Sequence, residues 1–405
     1  MGTKQYPIKK LKEFTDVFSG FAFKSTDLKE GDIPVIKIAN IQDKQVNKEC
    51  SAFFSSSKLT RKLDKYFLQD DDFLIAMTGA GSVGKTGKMR GKNKKYLVNQ
   101  RVGIVRVKKG LANQEFIFQV ISQDYYEDIL YKLGLGAGQP NISAKDIGNI
   151  EISFPEKIIQ DKLASIFLNY SNLIENNKKR IQLLEKIAKL IYDKWFVKFK
   201  FPGHEKVKMV DSELGKIPEG WEVSKIDNVI KHRIHINGKI KKSEFLDRGI
   251  IPCVDQSKSF IAGYTNDGKS VFNEFLPIIV FGDHTRIIKF VNFPFACGAD
   301  GTQLIYPGKD SISPEFLYFS LMHIDLSNFH YARHLKFLKS QKVFIPNEWV
   351  VKKFTEIVKP IMEEIQFYRN SIYNLRKTRD LLLPKLINGN IDVSELDIKV
   401  PEAEA

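Results

Sequence analysis

Cysteine is scarce: Cys50, Cys253 and Cys297 lie scattered through 405 residues. Three thiols so spaced exclude a disulfide framework or a Cys-rich zinc site, and point to reduced, buried side chains in a cytoplasmic protein. Long apolar runs are missing too. The longest, such as residues 275–281, fall far short of the ~20 residues that cross a bilayer, so no membrane partner is expected. The lysine-rich start holds no signal-peptide apolar block. Pro-Pro never occurs, which removes the Asn/Asp-Pro-Pro-aromatic loop of amino-methylating DNA enzymes, and Glu-x-Lys, a common nuclease triplet, is also absent. His232 with His235, and His330 with His334, have zinc-like spacing but no further ligands nearby, so no metal site is expected. Acid is in deficit: 48 Asp and Glu against 63 Lys and Arg leave a net charge of +15. Such an excess favours a polyanion, and nucleic acid above all.

What is present is written twice. "DIPVIKIANI", "DDFLIAM" and "NQRVGIVRV" are strand-like in β-branched content, and "GIIPCV", "LPIIVF" and "TQLIYP" follow in similar order in the second half. Each half closes on a long helical pattern that starts just after a proline, Pro155 or Pro346, and a shift of 191 residues lays one helix on the other. The first carries a three–four seam of Phe167, Tyr170, Ile174, Asn177, Ile181, Leu184, Ala188, Ile191 and Trp195. The second repeats it as Val358, Ile361, Ile365, Tyr368, Ile372, Leu375, Arg379, Leu382 and Leu386. A repeat of this period supercoils helices, and Asn177 would fix register at some cost in stability. Pro360 should kink or restart the second helix, and Pro384 should bend its last turns.

"TGAGSVGKT", Thr78 to Thr86, matches the phosphate-binding pattern G-x-x-x-x-G-K-[ST]. A working loop of that kind needs a helix after it, whose N-terminus holds the phosphates. "GKMRGKNKKYLVNQ" has two glycines, dense like charge and no helical periodicity. The better reading is a basic glycine turn against a nucleic-acid backbone. Ten Lys or Arg and no Asp or Glu lie between Val83 and Gln114. Lys85, Thr86, Lys88, Arg90, Lys92, Lys94 and Lys95 are candidate phosphate contacts; Asn99, Gln100, Arg101, Gln139 and Asn141, with Arg90, are candidate base readers. In the second half the candidates are His284, Thr285, Arg286, Lys289, Gln303, Arg333, His334, Lys336 and Lys339. The rival reading is a nucleotide-using DNA enzyme with Gly79–Thr86 as its active loop.

"YDKWFVKFKFPG" followed by "SELGKIPEGWEV" resembles the central region of the specificity subunits of type I restriction–modification systems. "TRDLLLPKLINGNIDV" resembles the matching C-terminal repeat, and "GAGQPNISAKDIGNIEISFP" the end of a target-recognition domain. The resemblance spans essentially the whole chain. It implies an α+β protein with an internal pseudo-two-fold repeat: two tandem α/β target-recognition domains separated by two long antiparallel coiled-coil helices. The expected layout is recognition domain 1 at 1–154, a central spacer helix at 155–200, a linker and recognition domain 2 at 201–345, a C-terminal spacer helix at 346–395 and a tail at 396–405. It implies a non-catalytic, DNA-binding subunit that reads a bipartite double-stranded target for DNA methylation and phage defence. The partners implied are two adenine methyltransferase subunits and, through them, restriction/translocase subunits. No cofactor is expected on this chain; S-adenosylmethionine, ATP and Mg belong on those partners.

Overall fold

The computed structural model describes residues 6–70, 72–89, 95–136, 138–232, 234, 236, 238–299, 301–327 and 333–399. The chain forms two compact units: residues 1–175 with 373–405, and residues 176–372. Each unit therefore contains part of both long helices.

In the first unit, four antiparallel strands run in the order Thr15–Ser19, Val102–Val107, Phe73–Ala76 and Thr86–Lys88. The second unit repeats this as Ile230–Lys231, Thr302–Pro307, Ile278–Gly282 and Ile288–Val291. A second layer is also duplicated. Ile33–Ile36 pairs antiparallel with Phe53–Phe54 and parallel with Leu97–Val98; Ile251–Val254 does the same with Gly263–Thr265 and Phe295–Cys297. All six strand-like segments of the sequence are strands, as β-branched runs bounded by turn residues should be. A two-stranded pair also recurs, its later strand running just before a long helix: Ile8–Lys10 with Glu151–Ser153, and Glu222–Lys225 with Lys342–Ile345. The short helices correspond as well. Asn113 and Ser313 cap Gln114–Ile121 and Pro314–Met322, each side chain accepting the N–H of the third residue on, at 3.0 and 3.1 Å.

The long helices are Lys157–Tyr192 and Glu348–Ile387, whose starts are 191 residues apart. They run antiparallel. In the first unit Leu163 and Phe167 share a core with Leu383, Leu386 and Ile387. In the second, Ala188, Tyr192 and Trp195 share one with Phe354, Val358 and Ile365. Every seam position is buried or half-buried, with exposed residues between. Asn177 donates to the Ser371 hydroxyl at 3.1 Å, and Arg180 reaches the Tyr368 hydroxyl at 3.2 Å. Both contacts lie in the second unit. A π-turn, Asp193–Val197, ends the first helix and buries both Trp195 and Phe196.

Pro360 does not restart the second helix, which is continuous from Glu348 to Ile387. Proline takes the donor from one helical hydrogen bond, but Pro360 and Glu356, whose carbonyl loses that donor, are both exposed to water. The helix also runs through Pro384 and stops three residues later. The C-terminal segment then folds back within the first unit, where Lys162 donates to the Ser394 and Leu396 carbonyls at 2.6 and 3.0 Å. Among the described residues, no helix is long and apolar enough to cross a membrane.

Candidate nucleic-acid interface

The glycine turn joins two strands. Phe73–Ala76 enters it and Thr86–Lys88 leaves it, paired antiparallel, so a strand and not a helix follows the loop. Gly79, Gly81 and Gly84 all take positive φ, as so tight a reversal demands. The Thr86 N–H and hydroxyl both donate to Glu127 Oε1, at 3.3 and 3.1 Å, in a buried position. Desolvation holds the Glu127 carboxyl above its usual range, offset in part by Lys44 and by Thr86 itself. A threonine so engaged cannot hold a metal–phosphate complex. The geometry does not support Gly79–Thr86 as the active loop of a nucleotide-using enzyme.

Three segments meet at the end of strand Phe73–Ala76. Met77 donates to the Arg101 carbonyl at 3.0 Å and accepts from the Ile142 N–H at 2.9 Å, while Gly79 donates to the Pro140 carbonyl at 3.1 Å. The glycine turn, the Asn99–Arg101 turn and the Gln139–Asn141 segment are thereby tied together. Lys85, Gln100, Arg101, Gln139 and Asn141 are exposed on them, and Lys95 is exposed just before strand Leu97–Val98. Asn99 is half-buried, its side-chain oxygen accepting the Arg101 N–H at 3.3 Å. Arg90, Lys92 and Lys94 lie outside the described residues, as do His235 and His330.

The same junction recurs in the second unit. Asp283 donates to the Gly301 carbonyl at 2.8 Å and accepts from the His334 N–H at 2.9 Å. Asp283 thus corresponds to Met77, Gly301 to Arg101 and His334 to Ile142. Asp283 Oδ1 accepts the Leu335 N–H at 2.8 Å. His284, Thr285 and Arg286 form the exposed turn after Asp283, with Arg286 at φ 63° and its guanidinium on the Leu326 carbonyl at 2.9 Å. Arg333 and Lys336 are exposed beside it, and Gln303 is half-buried opposite Phe281. Among the described residues no group of three or more His, Cys, Asp or Glu could hold a metal.

Several sequence candidates point inward and need correction. Thr86 is held by Glu127, as above. Lys88 is buried against Glu115 at 2.9 Å. Lys289 is buried with its ammonium on the carbonyls of Asp255 and Ser259, at 2.6 Å each. His334 is buried, its Nδ1 donating to the Asp283 carbonyl at 2.8 Å. Lys339 is half-buried between Asp227, at 2.9 Å, and His232 Nε2, at 3.2 Å. A polyanion cannot reach the first four without displacing these partners, and Lys339 is already neutralised. Missed in the sequence was the loop "DQSKS", residues 255–259, where Gln256 holds the His284–Thr285 turn and Lys258 is exposed. Its signal was a polar run directly after a strand.

Residues 4–186 match the family model described as the type I restriction modification DNA specificity domain. The type I restriction enzyme MjaIX specificity subunit of Methanocaldococcus jannaschii is 24% identical over 422 residues, covering 97% of this chain and 95% of that protein. The MjaVIII specificity subunit of the same organism is 28% identical over 190 residues, covering 46% of this chain and 44% of its own. Among solved structures, the S subunit of a type I restriction–modification system from M. genitalium aligns with a TM-score of 0.58 at 17% identity. It covers 94% of this chain and 96% of that one, and the likeness shows the fold.

Proposed function

We propose that the chain is a specificity subunit of a type I restriction–modification system and that it reads a two-part double-stranded DNA target, one part with each unit. On this reading it is a specificity component and the catalysis sits on its partners. The observation that carries this reading is the repeated junction: the same three-way hydrogen-bond pattern around Met77 and around Asp283, each beside exposed cations and amides. Cations such as Lys85, Lys95 and Lys336 supply affinity through phosphates, and Arg101, Gln139, Asn141, His284 and Arg333 supply base contacts. We assign recognition to residues 1–154 and 201–345, and spacing and docking to the helices at 155–200 and 346–395.

Leu183, Ile187 and Leu190 support a docking role for the first helix. They are exposed at intervals of four and three residues, so they form one apolar stripe on a helix whose seam already faces its neighbour. A stripe of this kind suits a protein partner, and we assign it to a methyltransferase subunit. On this reading restriction/translocase subunits join through the methyltransferases, and S-adenosylmethionine, ATP and Mg act on those partners.

The test is the methylation pattern of DNA from cells carrying this chain with its partner subunits. Two short specified tracts separated by an unread spacer are expected. A single continuous recognised tract overturns the two-part reading.

A further inference from the structure

Lys289 lies on the edge strand Ile288–Val291 and turns its ammonium into the protein. It donates to the Asp255 and Ser259 carbonyls at 2.6 Å each and stands 3.7 Å from the Asp255 carboxylate. These contacts close the 255–259 loop onto the sheet. Within the loop, Asp255 Oδ1 accepts the Ser257 N–H and hydroxyl at 2.9 and 2.5 Å. Gln256 reaches the DNA-facing turn twice: its carbonyl accepts the Thr285 hydroxyl at 2.7 Å, and its Oε1 accepts the His284 N–H at 3.1 Å. The fit is close, since a Cβ on Gly301 would stand 2.5 Å from His284 Cδ2 and 2.8 Å from Gln256 Nε2. Beyond the loop, the Arg369 guanidinium covers the Phe260 ring at 3.7 Å and pairs with Glu185 at 3.0 Å. The loop is held from the sheet and from the long helices, and it holds the turn.

The first unit shows what Lys289 replaces. Counting three residues back from Met77 and from Asp283 reaches Leu74 and Val280, which pair with Gly87 and Lys289 respectively. At Gly87 the segment after Ile36 forms the strand Lys44–Val46, which pairs in parallel alongside. A Cβ there would meet the Gln45 carbonyl oxygen at 2.8 Å. A backbone ladder thus holds the segment in the first unit. In the second, no described strand covers this edge, and one side chain with three donors takes the ladder's place.

We propose that Lys289 is a positioning residue for the second DNA-reading surface. It fixes the 255–259 loop and, through Gln256, the His284–Thr285 turn that reads the second half-site. This rests on the reading of function given above. Desolvation pushes the Lys289 pKa down to about 8 in spite of Asp255. The fold bears that penalty for contacts that an apolar side chain could not make.

The test uses the full chain with its partner subunits and duplexes carrying its methylation target, altered one base pair at a time in each half. Lys289→Met and Gln256→Ala are compared with wild type. Both variants should lose about tenfold or more of their discrimination in the second half. Discrimination in the first half and the salt dependence of binding should hold, and Gln256→Ala should melt at the wild-type temperature. Full second-half discrimination in Gln256→Ala overturns the proposal, whether or not Lys289→Met folds. A wild type with no preference for its own target would instead sink the reading on which the proposal rests.

Discussion

Basic residues that look alike in the sequence separate by burial, and burial decides what each can do. Lys85 and Lys95 are exposed, and no ion pair engages either among the described residues. Each true phosphate contact contributes roughly 0.9 to the slope of log affinity against log salt. Lys85→Ala with Lys95→Ala should therefore flatten that slope by up to about 2 and leave target preference in place. A changed preference with an unchanged slope would contradict a phosphate role. Lys88 and Lys289 could not be told from these in the sequence, because their partners lie far along the chain, Glu115 for one and Asp255 for the other. Charge density was legible; which lysines face inward was not.

Lys289 also gives a pH dependence whose sign can be worked out. Its pKa is about 8 in the fold and about 10.4 in an unfolded chain. Below pH 8 it is charged in both states, and the fold bears the full desolvation penalty. Between the two values the unfolded chain holds more protons, so stability rises with pH. The stability of wild type relative to Lys289→Met should thus grow by about 1–3 kcal/mol between pH 8 and 10.4. The three tryptophans, Trp195, Trp221 and Trp349, all fall in the second unit, so their fluorescence during urea unfolding reports it. A difference that stays flat across this window contradicts the assignment.

Among the elements, the helices were the most legible, because a three–four apolar period repeated over nine positions leaves few alternatives. Helix starts after Pro155 and Pro346 follow from proline's place at a helix entry. Pro360 misled because propensity predicts a break, while the buried residues on either side, Val358 and Ile365, hold the helix together. The glycine turn misled only as a short pattern; the missing helical period after it was already visible. Ile365 is fully buried, so Ile365→Asp places an unpaired charge in the seam and should cost about 3–5 kcal/mol. Unchanged tryptophan unfolding in that variant would remove the seam from the account. Spacing can be tested at the junction of Glu175 and Asn176, where the first helix passes from one unit to the other. Four residues inserted there add about 6 Å of helix and nearly preserve its phase. A longer spacer with both half-sites intact is expected in the methylation pattern, and an unaltered spacer would leave the helices only their docking role.

At the scale of the whole molecule, the duplication is the central fact. It was legible as a shift of 191 residues in the helices, and it reappears in strand order and in the junctions around Met77 and Asp283. The sequence between the helices could not display it fully, since strand pairing depends on partners far apart in the chain. The extra strand Lys44–Val46 in one unit and Lys289 in the other are different solutions to one structural need. Units with separate sheets and separate cores should read DNA separately. The most direct measurement is a methylome of cells in which residues 1–150 are exchanged for the equivalent segment of a relative, with the partner subunits present. One half of the target should change to the relative's, while the other half stays as it was. A chimera in which both halves change, or neither does, would contradict two independent readers on one chain.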